Sequence, residues 1–197
     1  MAIGAHPDDI EIGAGGTVAK HVKRGDAVHF LILTCGERTA DPSVRKTEAE
    51  LSAKILGARS VVFCDFPDTK VTAGVETIDA IEEMIRKTGP DRVYAPSISD
   101  YHQDHRNAAY SVGAAARDIQ QVLAVELPNV HLQFDPKYYV AIDDTMELKE
   151  RAIKTFRSQS DKQYMTLDAV KALARYRGYM IGVKYAEAFE IVRMVER

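Results

Sequence analysis

Cysteine is scarce in this chain: 197 residues carry two, Cys35 and Cys64. A disulfide scaffold needs more, so both are read as free thiols at or near strand ends. Long apolar runs are missing too. The longest are strand-sized pieces such as residues 28–33, far short of the roughly 18 apolar residues that span a bilayer. The first residues hold no basic stretch followed by an apolar one, so no secretory leader is expected. Neither sign of charge dominates: Lys and Arg number 26, Asp and Glu 29, for a formal net charge of -3. With no dense Lys/Arg run, that balance speaks against nucleic acid and acidic membranes as partners. No tract rich in Pro, Gly or Ser divides the chain, and there is no repeat or low-complexity segment. At 46% hydrophobic, the sequence can bury one sizeable core. The expectation is a single domain over residues 1–197, soluble and cytoplasmic.

What the sequence does contain is alternation. Residues 1–4 read as a very short strand, 17–23 as a helix ended by Gly25 and Asp26. Residues 27–33 are almost continuously apolar, as in a parallel strand covered on both faces. A polar loop follows to Pro42, then a helix over 44–56 with Gly57 as its C-cap. Residues 61–64 form a strand, and 75–86 a helix stopped by Gly89-Pro90. Residues 92–95 form a strand, 96–105 a polar loop, 107–119 an Ala-rich helix and 121–126 another strand. Strand, helix, strand, helix is the pattern of an α/β protein with a Rossmann-like, doubly wound, mostly parallel sheet. In the last third, 138–142 and 188–195 read as strands. Two helices are expected there: 146–156, capped by Asp143 or Asp144, and 169–179, capped by Thr166 or Asp168. This part, from about residue 130, is expected to complete the same sheet and the pocket.

Open parallel sheets bind ligands beyond the carboxyl ends of their strands. Two patches fall there: His6-Pro7-Asp8-Asp9-Ile10-Glu11, and His102-Gln103-Asp104-His105. Each mixes imidazole and carboxylate within four to six residues, and neighbouring strands would bring them together. Two imidazoles and one carboxylate make a catalytic zinc set with a position left for water. Zinc brings the pKa of that water toward neutrality, a second carboxylate can take its proton, and a donor opposite can stabilise the oxyanion. Spacing alone does not say which residue ligates and which acts as base.

His6-Pro7-Asp8-Asp9 continues as Ile10-Glu11-Ile12-Gly13-Ala14-Gly15-Gly16-Thr17, and in that form resembles the opening motif of the PIG-L/LmbE-like deacetylases. His102-Gln103-Asp104-His105 is similar to their second motif, His-x-Asp-His. Arg45 and Glu48 ahead of Leu56-Gly57, and the ending 182–189, fit the same family, so the resemblance covers nearly the whole chain. It implies a zinc-dependent deacetylase acting on an N-acetylglucosamine-containing small molecule. His6, Asp9 and His105 would bind zinc, and Asp8 would be the general base. His102 would face it, stabilising the tetrahedral intermediate and assisting the leaving amine. Asp104 would orient a histidine from behind. Relatives of this kind often assemble as trimers or hexamers, so a homo-oligomer is expected. Relatives also carry several more apolar residues ahead of His-Pro-Asp-Asp, so the first strand is either stunted or trimmed. The ligand set would accept iron or cobalt as well as zinc.

Other residues carry two readings each. Arg45 either grips the sugar or pairs with Glu48 on its helix. Glu37, after the second strand, is a candidate for substrate contact, and Asp68, after the third, a weaker one. Glu11 reads as structural. Gly13, Gly15 and Gly16 could suggest a phosphate cradle, but the preceding turn is filled by two carboxylates, so close packing of helix on sheet is preferred. His21 and His29 read as structural or surface residues. His131 lies in a loop able to fold over the pocket. One or two of the many late tyrosines, Tyr164 among them, could stack on a sugar. The rival functions are a zinc amidase for a non-sugar amine and a non-catalytic metal- or sugar-binding protein on the same scaffold.

Overall fold

The computed structural model describes residues 1–130 and 133–196. Seven strands form one sheet: β1 (Ala2–Gly4), β2 (His29–Thr34), β3 (Ser60–Phe66), β4 (Arg92–Pro96), β5 (Gln121–Val125), β6 (Tyr138–Ala141) and β7 (Ala186–Met194). Six α-helices connect and flank them: α1 (Asp9–Lys23), α2 (Pro42–Leu56), α3 (Val75–Thr88), α4 (Gln103–Ala115), α5 (Met146–Ile153) and α6 (Leu167–Met180). The strand order is β3-β2-β1-β4-β5-β7-β6. β1 to β5 run parallel, while β7 pairs antiparallel with both β5 and β6. The order reverses between β1 and β4. That is the switch point where an open α/β sheet leaves a crevice, and both sequence motifs hang from it.

Helices cover both faces, which is why β2 reads as a continuous apolar run. Phe30 and Ile32 pack with Ile10, Val18 and Leu56 under α1 and α2, joined by Ile153 and Phe156. Leu31 and Leu33 pack on the other face with Ile81 and Met84 of α3 and Val112 of α4. Ala186 to Phe189 of β7 are buried, and Phe189 packs into the first of these layers. No helix among the described residues is long and apolar enough to cross a membrane.

Several element ends differ from the sequence reading, and three of the differences have a clear physical reason. Helix α1 starts at Asp9, eight residues before Thr17, so the three glycines lie inside it. Glycine disfavours helix by about 1 kcal/mol relative to alanine, but here the helix must sit close on its neighbours. A Cβ on Gly13 would stand 2.7 Å from Val125, and one on Gly16 would stand 2.8 Å from Ile142. Helix α4 starts at Gln103, which puts Asp104 and His105 in its first turn instead of in a loop. Helix α5 is capped by neither Asp143 nor Asp144. Thr145 occupies that position, and its hydroxyl donates to the Gly16 carbonyl at 2.8 Å. Asp143 instead accepts from Lys184 N and Tyr185 N, and Asp144 pairs with Lys20 and Lys23. Gly57 in the left-handed region and Thr166 at the start of α6 occupy the caps expected of them.

Behind α1 lies a buried ion pair, Lys149 Nζ to Glu187 Oε1 at 2.6 Å. The Glu187 carboxylate also accepts from Gly16 N at 2.9 Å and Thr17 N at 2.7 Å, while Lys149 donates to the Ile12 carbonyl at 2.6 Å. In an α-helix the Ile12 carbonyl and the Gly16 N–H are the two ends of one rung. Here each end is engaged by one member of the pair, which ties α1 to α5 and β7.

Candidate active site

The turn between β1 and α1 is built around Asp9. Its Oδ2 accepts from Ala5 N at 2.8 Å and His6 N at 2.9 Å. Asp8 precedes it at φ 108, in the left-handed region where a non-glycine residue is strained. Asp8 stands at the N-cap position but makes no cap bond. Its Oδ2 instead accepts from Arg45 Nη2 at 3.1 Å. Arg45 also donates to the Pro7 carbonyl, so it fixes both the turn and the carboxylate.

The second motif arrives on α4. The His102 Nδ1 accepts from Asp104 N at 3.2 Å, capping the helix. His105 Nδ1 meets Asp100 Oδ2 at 2.9 Å. A carboxylate there holds the proton on Nδ1 and leaves the Nε2 lone pair facing the crevice. His6 is arranged the other way round. Its Nε2 lies 3.1 Å from Asp104 Oδ2 and 3.3 Å from Asp68 Oδ1, which leaves Nδ1 facing the crevice. His6 Nδ1 and His105 Nε2 are 3.2 Å apart. Asp9 Oδ1 stands 3.3 Å from His105 Nε2, and Asp9 Oδ2 3.6 Å from His6 Nδ1.

These separations suit a shared cation. Tetrahedral ligands at zinc distances stand about 3.3–3.4 Å from one another, and both imidazoles present lone pairs whose other nitrogen is held by a carboxylate. In the absence of a cation the same groups attract protons. Against the penalty of burial, Asp9 and Asp100 push His105 up to about 9, and Asp104, Asp68 and Asp9 raise His6. Burial would raise Asp9, but His105 and His6 hold it well below the usual carboxylate range. Among the described residues two donor groups lie within 4.8 Å, His6-His102-His105 and His6-Asp68-Asp104. The first contains His102 in place of Asp9. We favour Asp9, because it supplies negative charge and because the His102 Nδ1 is already spent on the Asp104 N–H.

The cavity over this group has a volume of about 160 Å³ and is lined by His6, Asp8, Asp9, Arg45, His102 and His105 together with loop residues. Asp8 is 5% exposed. Burial pushes it up to about 6, with Arg45 opposing and Asp9 assisting. His102 stacks on His105 with ring centres 4.7 Å apart, and burial and then the two other imidazoles lower its pKa. Asp104 is fully buried and also accepts from Thr69 N and Val71 N, so it braces the β3–α3 loop as well as His6.

Not every expected residue reaches the cavity. Glu37 is exposed, and its Oε1 accepts from Asp68 N at 2.7 Å; it supports the Asp68 loop and does not line the cavity. Arg45 lines it, yet is 2% exposed and turned to Asp8, with Glu48 only at 3.9 Å. Glu48 spends its carboxylate on Ser158 N and Oγ. The Nε and Nη1 groups of Arg45 are buried without a hydrogen-bond partner among the described residues. Glu11 is buried, bonded to Ser52 Oγ, and pushed up to about 7 by burial. His131 lies outside the described residues. Asp100 was missed; the signal was a carboxylate just ahead of the second motif. Arg38, Thr39, Asn129, Gln159 and Tyr164 also line the cavity. They come from four separate loops and turns, so no local pattern marks them.

Comparison with known proteins fits this geometry. Residues 1–116 match the PIG-L family, described as GlcNAc-PI de-N-acetylase. The diacetylchitobiose deacetylase of Thermococcus kodakarensis is 33% identical over 98% of this chain and 82% of its own. The chain belongs to the PIG-L family. Among solved structures, a conserved protein of Thermus thermophilus superposes with a TM-score of 0.90 at 29% identity, covering 100% of this chain and 95% of that one. The 4-carboxy-2-hydroxymuconate hydratase of Pseudomonas putida superposes at 0.87 and 25% identity, covering 100% and 97%. The PIG-L scaffold thus carries at least two kinds of water-adding chemistry, and the site has to decide between them.

Proposed function

We propose that this PIG-L family chain hydrolyses the N-acetyl group of a small molecule containing N-acetylglucosamine, releasing acetate and a free amine. The observation that carries the reading is the meeting of His6 Nδ1, His105 Nε2 and Asp9 within 3.2 to 3.6 Å, beside the buried Asp8. Their donor set fits zinc. A zinc ion held by these three residues supplies an acidified water and a Lewis acid for the amide carbonyl.

The side chains provide the rest. Asp8, held by Arg45, accepts the proton of the attacking water as general base. The water oxygen bonds to the amide carbon. His102, whose Nδ1 is an acceptor, carries its proton on Nε2 and offers it to the developing oxyanion. The C–N bond then breaks, and the proton held on Asp8 passes to the leaving nitrogen, giving neutral amine and acetic acid. The acid's proton then passes to the amine or to solvent, so the products leave as acetate and amine in balance. Asp104 and Asp100 keep His6 and His105 in the tautomers this arrangement needs. Arg38, Thr39, Asn129 and Tyr164 stand where sugar hydroxyls and a ring face would meet the protein.

The test is amine release from a panel of N-acetylglucosaminides, free, as the disaccharide and as linked forms, with Asp8→Ala as control. Release that depends on metal and on Asp8 supports the reading. Hydration of a conjugated oxo-acid in place of amine release would assign the chain to the chemistry of its hydratase neighbour. Turnover of non-sugar amides alone would retain the metal site and move the substrate class.

A further inference from the structure

Beside the catalytic cavity lies a second cleft of about 190 Å³. Its walls include Gly13 of α1, Val170, Leu173 and Ala174 of α6, and Ala186 and Ala188 of β7. The charged groups that reach it are already paired with one another. Lys149 meets Glu187 at 2.6 Å, and Arg177 meets Glu126 through contacts of 2.8 and 2.5 Å. Glu187 also holds two backbone N–H groups of α1, and Lys149 a carbonyl. A polar guest would find these partners occupied, whereas an apolar guest gains from leaving water. Ile12, Pro128 and Tyr164 line both this cleft and the catalytic cavity, so one ligand can occupy both.

An apolar cavity of about 150 Å³ holds a benzene molecule. We infer that the cleft receives an apolar part of the substrate, a ring or alkyl chain of about six to eight carbons, joined to the amino sugar whose amide is cleaved. The inference rests on the deacetylase reading of the adjoining cavity. The apolar group has two chemical sources, the glycosidic substituent or a longer N-acyl chain, and both present the same surface to α6 and β7.

Two substrate series separate these sources: methyl, butyl and hexyl glycosides of N-acetylglucosamine, and N-acetyl, N-butanoyl and N-hexanoyl forms of the methyl glycoside. The expected result is a rise in kcat/KM of about fourfold per methylene in one series. Ala169→Phe and Leu173→Phe, which fill the cleft, should each flatten that rise. The readout is the hexyl-to-methyl or hexanoyl-to-acetyl ratio, so a general loss of active enzyme cancels. Flat ratios in both series, with the methyl N-acetyl compound still turned over, overturn the cleft assignment and leave the deacetylase reading standing. Calorimetry in the Asp8→Ala background, of phenyl against methyl N-acetylglucosaminide and of the N-hexanoyl against the N-acetyl methyl glycoside, tests the cleft without turnover. Tighter binding of the larger member of one pair with a negative heat-capacity change, lost when Ala169→Phe is added, supports it; equal affinities in both pairs overturn it.

Discussion

Helix α1 touches two buried charged clusters, one at its N-terminus and one at its middle. At its middle, Lys149 and Glu187 are each satisfied by the other and by backbone groups of the helix. At its N-terminus, His6, Asp9 and His105 turn toward one another, Asp8 sits in strained backbone, and the buried Nε and Nη1 of Arg45 make no hydrogen bond among the described residues. Both clusters bear the desolvation cost of buried charge. The first recovers it inside the protein. The second pairs histidines with carboxylates around a cavity, and on the proposed reading a cation and a ligand would complete it, which would separate a site from a brace.

The sharpest way to break this contrast is Asp8→Ala. Loss of a general base is expected to lower kcat by about 10²–10⁴-fold, measured by amine release, with metal content unchanged. A brace residue would show the opposite pattern, lost folding with normal turnover per folded molecule. Lys149→Met should show that pattern with the methyl N-acetyl glycoside, which does not reach the second cleft, leaving Glu187 buried without its partner at a cost of about 3–5 kcal/mol in denaturant unfolding. The double change Lys149→Met with Glu187→Leu should recover most of the loss; equal destabilisation of single and double variants would contradict the brace reading. A smaller effect is expected for Asp104→Asn and Asp100→Asn, which sit behind the two histidines. Each should weaken metal binding by about 10–100-fold in competition titrations. Unchanged affinity would mean that the tautomers are set in some other way. Smallest is Thr166→Ala, remote from both clusters, which removes the α6 cap and should cost about 1 kcal/mol in the same unfolding assay.

The brace and the site differ also in how far the sequence reveals them. His6 to Asp9 and His102 to His105 are each contiguous, lie at predicted strand ends, and match a family motif, so their convergence was readable. The strand–helix alternation was readable for the same reason, since a strand covered on both faces shows itself as an apolar run. Lys149 and Glu187 are 38 residues apart and obey no local period, so nothing in the chain announced them. The start of α1 was missed because its glycines look like loop, whereas contact with Val125 and Ile142 demands them inside a helix. The start of α4 was missed because His102, an unusual cap, does the work expected of Ser or Asp. Glu37 was expected at the substrate and instead supports Asp68, since its loop turns the carboxylate toward the Asp68 N–H.

The central claim is that His6, Asp9 and His105 share one cation while Asp8, held by Arg45, stands beside it without ligating it. Bound zinc per chain should be measured by elemental analysis in the parent protein and in Asp8→Ala, His6→Ala and His105→Ala. The account expects one zinc retained in the parent and in Asp8→Ala, and loss of zinc in both histidine variants. Equal zinc loss in all three variants, or zinc retained without His105, would contradict it.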